Sequence, residues 1–148
     1  MIAIGCDHGG YKLKEEILAY LKRENIPYKD FGVYDETSVN YPDKAFEVCE
    51  EVAKGNFEKG ILICGTGIGI SIAANKVKGI RAALCSDCFS AKYTRLHNDA
   101  NILCMGGRTL GPGLSEMITD IFLHTEFEGG RHKTRIDLIS AYEEAHIK

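Results

Sequence analysis

The sequence predicts an α/β fold in which a five-stranded parallel sheet is covered by helices on both faces, a three-layer αβα sandwich. Three observations carry the expectation. Short apolar runs alternate five times with stretches of helical periodicity. The connections between them are short. Residues 60–76, GILICGTGIGISIAANK, read as a strand, a glycine turn and a helix N-terminus. Right-handed crossovers then place the C-terminal end of every strand on one edge, where ligands of open α/β sheets bind.

Taken in order, residues 1–6 form a first strand and 7–10 a turn. Residues 11–24 form a helix with Leu13, Ile17, Leu18 and Leu21 on one face and charge on the other. Asn25-Ile26-Pro27 stops it. A short second strand covers 28–32 and a loop 33–40. Pro42 opens a helix to residue 54, with Ala45, Phe46, Val48, Cys49 and Val52 inward. The third strand ends at Cys64, and a helix follows over 70–76. The fourth strand spans 81–85 and its helix 87–97; the fifth strand spans 102–105 and its helix about 113–123. After Glu128-Gly129-Gly130 an extra C-terminal helix over 133–146 carries Ile136, Leu138, Ile139 and Tyr142. No strand follows it, so its apolar face is free to pack on a second subunit.

The totals bound the class. A chain of 148 residues, with no repeat or linker, suits one domain over 1–148. Apolar residues are 45% and charged residues 26%, a globular profile. No apolar run approaches the roughly 20 residues of a membrane span. No basic region precedes the first apolar run, so a signal peptide is not expected. A net charge of −3 argues against nucleic acid as a partner. Of six cysteines, Cys6, Cys64 and Cys104 end apolar runs, which reads as reduced thiols and a cytoplasmic setting.

The chemistry concentrates on Cys64. Three glycines among Gly65-Thr66-Gly67-Ile68-Gly69 let backbone approach a ligand, and the helix start behind them offers free N–H groups and partial positive charge. Such donors favour the thiolate of a neighbouring cysteine. The stretch therefore offers a base or nucleophile beside an oxyanion cradle; an inert core cysteine is the plainer reading. Asp7-His8, between a strand end and Gly9-Gly10, reads as a site more than as a cap. His97-Asn98-Asp99 closes a helix, an ordinary place for capping residues, and His97 becomes a candidate acid if it lies near the crevice. Arg131 and Arg135 stand four apart on one helical face. They form either a solvated basic surface or a phosphate clamp, with Arg108 as a third member. Tyr41 is as much a core residue as a ligand contact. Two signals compete. Cys85-Ser86-Asp87-Cys88 has dithiol spacing but no second pair at zinc spacing. Gly65-Thr66-Gly67 begins a dinucleotide fingerprint, with Asp87 about 20 residues on for a ribose hydroxyl, but Ile70 stands where the third glycine belongs.

Taken together, GCDHGG, CGTGIGISIAANK, LHNDANILCMGGR and GGRHKTR resemble the type B ribose-5-phosphate isomerases. That sugar-phosphate isomerase family also holds allose-6-phosphate and galactose-6-phosphate isomerases. The resemblance covers essentially the whole chain. It implies a Rossmann-like five-stranded sandwich, a homodimer or in some members a tetramer, an active site between two subunits, and no metal or cofactor. It implies a small-molecule sugar phosphate as the partner, and neither nucleic acid nor membrane. It makes Cys64, His97, Thr66 and Asp7 catalytic. Cys64 would be the base moving a proton between C1 and C2, and His97 would help open the furanose ring, with Asp7 and Tyr41 close to the sugar. Gly65, Thr66, Gly67, Ile68 and Gly69, with Ser71 nearby, would form the anion hole. His8, Arg108, Arg131 and Arg135 would hold the phosphate and Asn98 a sugar hydroxyl. The Cys85 and Cys88 pair matches no part of the family pattern. The implied reaction is the interconversion of D-ribose 5-phosphate and D-ribulose 5-phosphate in the pentose phosphate pathway. A six-carbon sugar phosphate is the alternative substrate, and a non-catalytic nucleotide-binding module the alternative class.

Overall fold

The computed structural model describes residues 1–147. Strands β1 (Ile2–Cys6), β2 (Tyr28–Asp30), β3 (Lys59–Cys64), β4 (Ala82–Leu84) and β5 (Ile102–Gly106) alternate with helices. The helices are α1 (Tyr11–Arg23), α2 (Tyr41–Ala53), α3 (Ile68–Ala74), α4 (Cys88–Asn98), α5 (Pro112–His124) and α6 (Arg131–His146). All strand pairs are parallel, in the order β2-β1-β3-β5-β4. The sheet grows outward from β1 and β3, so the topological switch point lies between them.

Alternation along the strands divides the interior into two cores. Ile2, Ile4 and Cys6 of β1, Ile61 and Ile63 of β3, and Leu103 and Met105 of β5 meet Leu13 and Ile17 of α1 and Ile118 and Phe122 of α5. Ala3, Leu62, Cys64, Ile102 and Cys104 meet Ala45, Val48 and Cys49 of α2 and Ile70 and Ala74 of α3. Both sides of the sheet are covered, which is why its strands read as continuous apolar runs. Cys64 is thereby fixed on the α2–α3 side, at the last position of a central strand.

Three expectations need correction. Phe46 is 37% exposed rather than inward, because the buried stripe of α2 is Ala45, Val48, Cys49 and Val52, and Phe46 lies one residue off it. Lys14, assigned to the charged face of α1, is fully buried. Its Nζ donates to both carboxylate oxygens of Asp30, at 2.8 and 3.0 Å, and to Val33 O at 2.5 Å. β2 stops at Asp30, where this clamp begins. In α6, by contrast, the apolar face is open as expected: Ile136 is buried, and Leu138, Ile139 and Tyr142 are exposed. Among the described residues, no helix is long and apolar enough to cross a membrane.

Candidate active site

The loops after β1, β3 and β5 converge on one edge of the sheet, at the switch point. They pack backbone on backbone. Asp7 N–H donates to Ile63 O at 3.1 Å, Gly107 N–H to Cys64 O at 2.8 Å, and Arg108 N–H to Gly65 O at 2.9 Å. A Cβ on Gly107 would stand 2.5 Å from Gly9 O. One on Gly67 would stand 2.5 Å from the Leu84 side chain and 2.8 Å from the Met105 carbonyl carbon, at a φ of +81° that disfavours any side chain. Glycine is therefore demanded by contact, not only by turn geometry.

Side chains line this backbone floor. Asp7 is buried and caps a 3-10 turn (His8–Gly10), accepting the Gly10 N–H at 3.1 Å. His8 Nδ1 accepts the Val39 N–H at 3.2 Å, which ties the 33–40 loop to the edge. The Arg108 side chain lies over Gly65, and the Tyr41 ring lies over Gly69 at the start of α2. Cys64 itself is 5% exposed. Its sulfur sits at the floor of the edge rather than at its mouth, and accepts the Gly67 N–H at 3.1 Å. Of the expected amide donors, Gly67 is thus turned to the thiol and Ile68 to Thr66 Oγ1, at 3.2 Å. Ile68 presents an exposed side chain. Ser71 directs its hydroxyl to Ile68 O at 2.7 Å and so braces α3.

His97, Asn98, Arg131 and Arg135 are not on this edge of the same chain, contrary to the placement of His97 near the crevice. α4 starts beside the edge, at Asp87, and runs away from it. Ten residues of helix carry His97 roughly 14 Å toward the opposite end of the sheet. There His97 stacks on His132 of α6, with centroids 4.0 Å apart. Arg131 precedes His132, and Arg135 follows one turn later, both exposed. This far end is braced by side chains. Arg95, 5% exposed, donates to Thr125 O, Asp99 Oδ1 and Ala100 O at 3.0, 2.8 and 2.7 Å. Arg81 donates to the carbonyls of Asn98 and Asp99. A cavity of about 340 Å³ runs along α4 from Leu84 and Phe89 to His97 and Asn98, without reaching Cys64.

The family model described as Ribose/Galactose Isomerase matches residues 2–139. The chain belongs to that family. It is 48% identical over 143 residues to the Escherichia coli protein named ribose-5-phosphate isomerase B, covering 97% of this chain and 96% of that one. A Clostridium thermocellum ribose-5-phosphate isomerase B structure superposes with a TM-score of 0.96, at 51% identity and 98% coverage of both chains. A Pectobacterium atrosepticum protein named D-erythrulose-4-phosphate isomerase is 42% identical over 144 residues, covering 96% of this chain and 94% of that one. The αβα fold expected of an isomerase of this family is the one observed.

The competing motifs lose their chemical meaning in the fold. Asp87 is spent as the N-cap of α4, bonded to Ser90 N and Oγ at 2.6 and 2.8 Å. Ile70 is fully buried, and burial pushes the Cys85 thiol up to about 12, far from a reactive dithiol. Sequence reasoning missed four residues: Lys14, Arg95, Glu128 and His132. His132 is 4% exposed; burial and then the neighbouring His97 hold its pKa below the usual value. GGRHKTR contains His132 between two noted arginines, and that was the available signal.

Proposed function

We propose that this isomerase interconverts D-ribose 5-phosphate and D-ribulose 5-phosphate by proton transfer, with Cys64 as the base. The observation that carries the reading is the Cys64 sulfur, held by the Gly67 N–H among backbone amides at the switch point. After ring opening, the thiolate takes the proton from C2 of the aldose. The electron pair becomes an enediolate whose charge rests on O1. Backbone donors facing that oxygen contribute a few kcal/mol each. The thiol then returns the proton to C1, and a hydroxyl proton moves from O2 to O1, giving the ketose. Thr66 Oγ1, already an acceptor for Ile68 N–H, keeps its O–H free for a sugar oxygen. Asp7 and Tyr41 flank the sugar. The scheme moves protons only and calls for no cofactor. A reducing, cytoplasmic setting suits a chain whose six cysteines are all free thiols.

In this reading the phosphate does not react; it anchors the sugar over the thiol. His8 and Arg108 approach it from the same chain. His97, the ring-opening acid, Asn98, Arg131 and Arg135 come from a second copy, because one chain holds them at the far end of its sheet. A two-fold dimer, alone or within a tetramer, provides two such composite sites. The exposed Ile68, Ile72, Leu84 and Phe89 near the thiol edge, and Leu138, Ile139 and Tyr142 on α6, supply apolar surface for it.

Sugar length is the second coordinate. The names of the Escherichia coli and Clostridium thermocellum relatives support ribose 5-phosphate, and that of the Pectobacterium one a four-carbon sugar phosphate. The test is kcat/KM for four-, five- and six-carbon sugar phosphates, run beside Cys64→Ala. Highest efficiency on ribose 5-phosphate, with a fall of about 10²–10⁴-fold in the variant, is expected of a lost base. An active Cys64→Ala enzyme would remove the thiol from the mechanism.

A further inference from the structure

Among the described residues, one cluster gathers three metal-ligating side chains: His97, Glu128 and His132, whose ligand atoms all lie within 4.8 Å of one another. We propose that these three residues bind a borderline-soft divalent cation, Zn²⁺ being the best fit, and that its arrival switches the isomerase off by occupying His97. The inhibitory part rests on the reading of His97 as the ring-opening acid; the binding site does not.

Four observations support the site. The donor set is two imidazoles and a carboxylate, the set that suits Zn²⁺ and its neighbours rather than Mg²⁺ or Ca²⁺. His132 Nε2 is the buried side-chain polar atom without a hydrogen-bond partner among the described residues, in a residue 4% exposed. Stranding such an atom is destabilising, a deficit that a metal bond removes. The frame is fixed: Glu128 N–H donates to Leu96 O and His132 N–H to Gly129 O, both at 3.1 Å, which ties the 128–132 turn to the end of α4. The adjustment required is small. His97 Nε2 and Glu128 Oε2 stand 4.0 Å apart. Tetrahedral zinc needs its ligand atoms about 3.4 Å apart, from bonds of about 2.0–2.2 Å. The side chains of His97 and Glu128 are 37% and 49% exposed, so both can turn. Turning His97 breaks its parallel stack on His132, 12° between planes, and points both nitrogens at one ion. A metal-bound nitrogen has no lone pair or proton to exchange with a sugar ring oxygen.

The test is calorimetric titration of the purified, metal-free protein with Zn²⁺, for the native chain, Glu128→Gln and His132→Gln, with isomerase activity followed in parallel. One ion per chain should bind the native protein at a site that both variants weaken by at least about tenfold. Zinc should inhibit the native enzyme, reversibly with a chelator, and leave Glu128→Gln active. Glu128 is exposed, so that variant tests the site even if His132→Gln fails to fold. Unchanged affinity in Glu128→Gln, or equal inhibition of it, would place zinc on the thiols and overturn the proposal. Native-only binding by a protein with no isomerase activity would keep the site and sink the functional reading instead.

Discussion

At the thiol edge of the sheet the chain meets itself through backbone, with glycines at two of its three contacts and Cys64 at the floor. At the other end it is held by guanidinium groups, Arg95 and Arg81, which gather loop carbonyls beneath His97. The contrast separates two tasks. A site that stabilises a developing oxyanion needs fixed N–H groups at short range, and only glycine lets three loops crowd so closely. A site that delivers acid and phosphate ligands needs long side chains on a firm base, and buried charge networks provide that at the expense of being easy to break. Under the proposed function, joining the two ends takes a second copy of the chain.

The first way to break the contrast is Arg95→Ala. It removes three hydrogen bonds from a buried group and should lower stability by about 3–5 kcal/mol. The damage should be local to the far end: kcat falls while alkylation of Cys64 proceeds at its native rate. Loss of thiol reactivity in the folded variant would mean the two ends are not independent. Gly67→Ala attacks the other end with one methyl group. The left-handed φ and the contact with Met105 should cost about 1–3 kcal/mol, alter the rate of Cys64 alkylation and leave the His97–His132 pair untouched. A native melting point in that variant would show that the loops have room the structure denies them.

A pH dependence sharpens the distinction between edge and interior thiols. Burial pushes Cys6 up to about 11 and Cys49 and Cys85 up to about 12, against 9.0 when exposed. The folded chain therefore keeps protons that the unfolded chain releases above pH 9.0. Stability should be insensitive to these groups below that pH and fall as pH rises toward 12. Tyr20, raised by burial and by Asp120, adds to the fall, and Lys59, lowered by burial, opposes it in part. Thermal melts across this window measure it; a midpoint that stays flat would contradict the burial of these thiols.

Much of this was legible in the sequence, for physical reasons that also set the limit. Strand–turn–helix periodicity is local, so β3, the glycine turn and α3 could be read from residues 60–76, and Cys64 with them. The parallel sheet followed from five such alternations. What the sequence hides is which end of the sheet a helix terminus reaches. His97 and Cys64 look like one constellation in one dimension, but the length of α4 parts them. Lys14 looked like surface charge because its partner Asp30 lies on a different element, 16 residues away. Arg95 was equally silent: Thr125 O becomes its partner only when α4 and the 125–130 loop meet. Phe46 was misplaced by one residue of helical phase.

The most direct measurement is complementation between two inactive variants. Cys64→Ala and His97→Asn are each purified and assayed alone, and the two chains are also co-expressed and assayed together. If the thiol of one chain works with the histidine of another, each mixed dimer regains one intact site, and a random mixture recovers about a quarter of native activity. If Cys64 and His97 serve the same site from the same chain, no mixed site is intact, and the mixture stays as inactive as its parts.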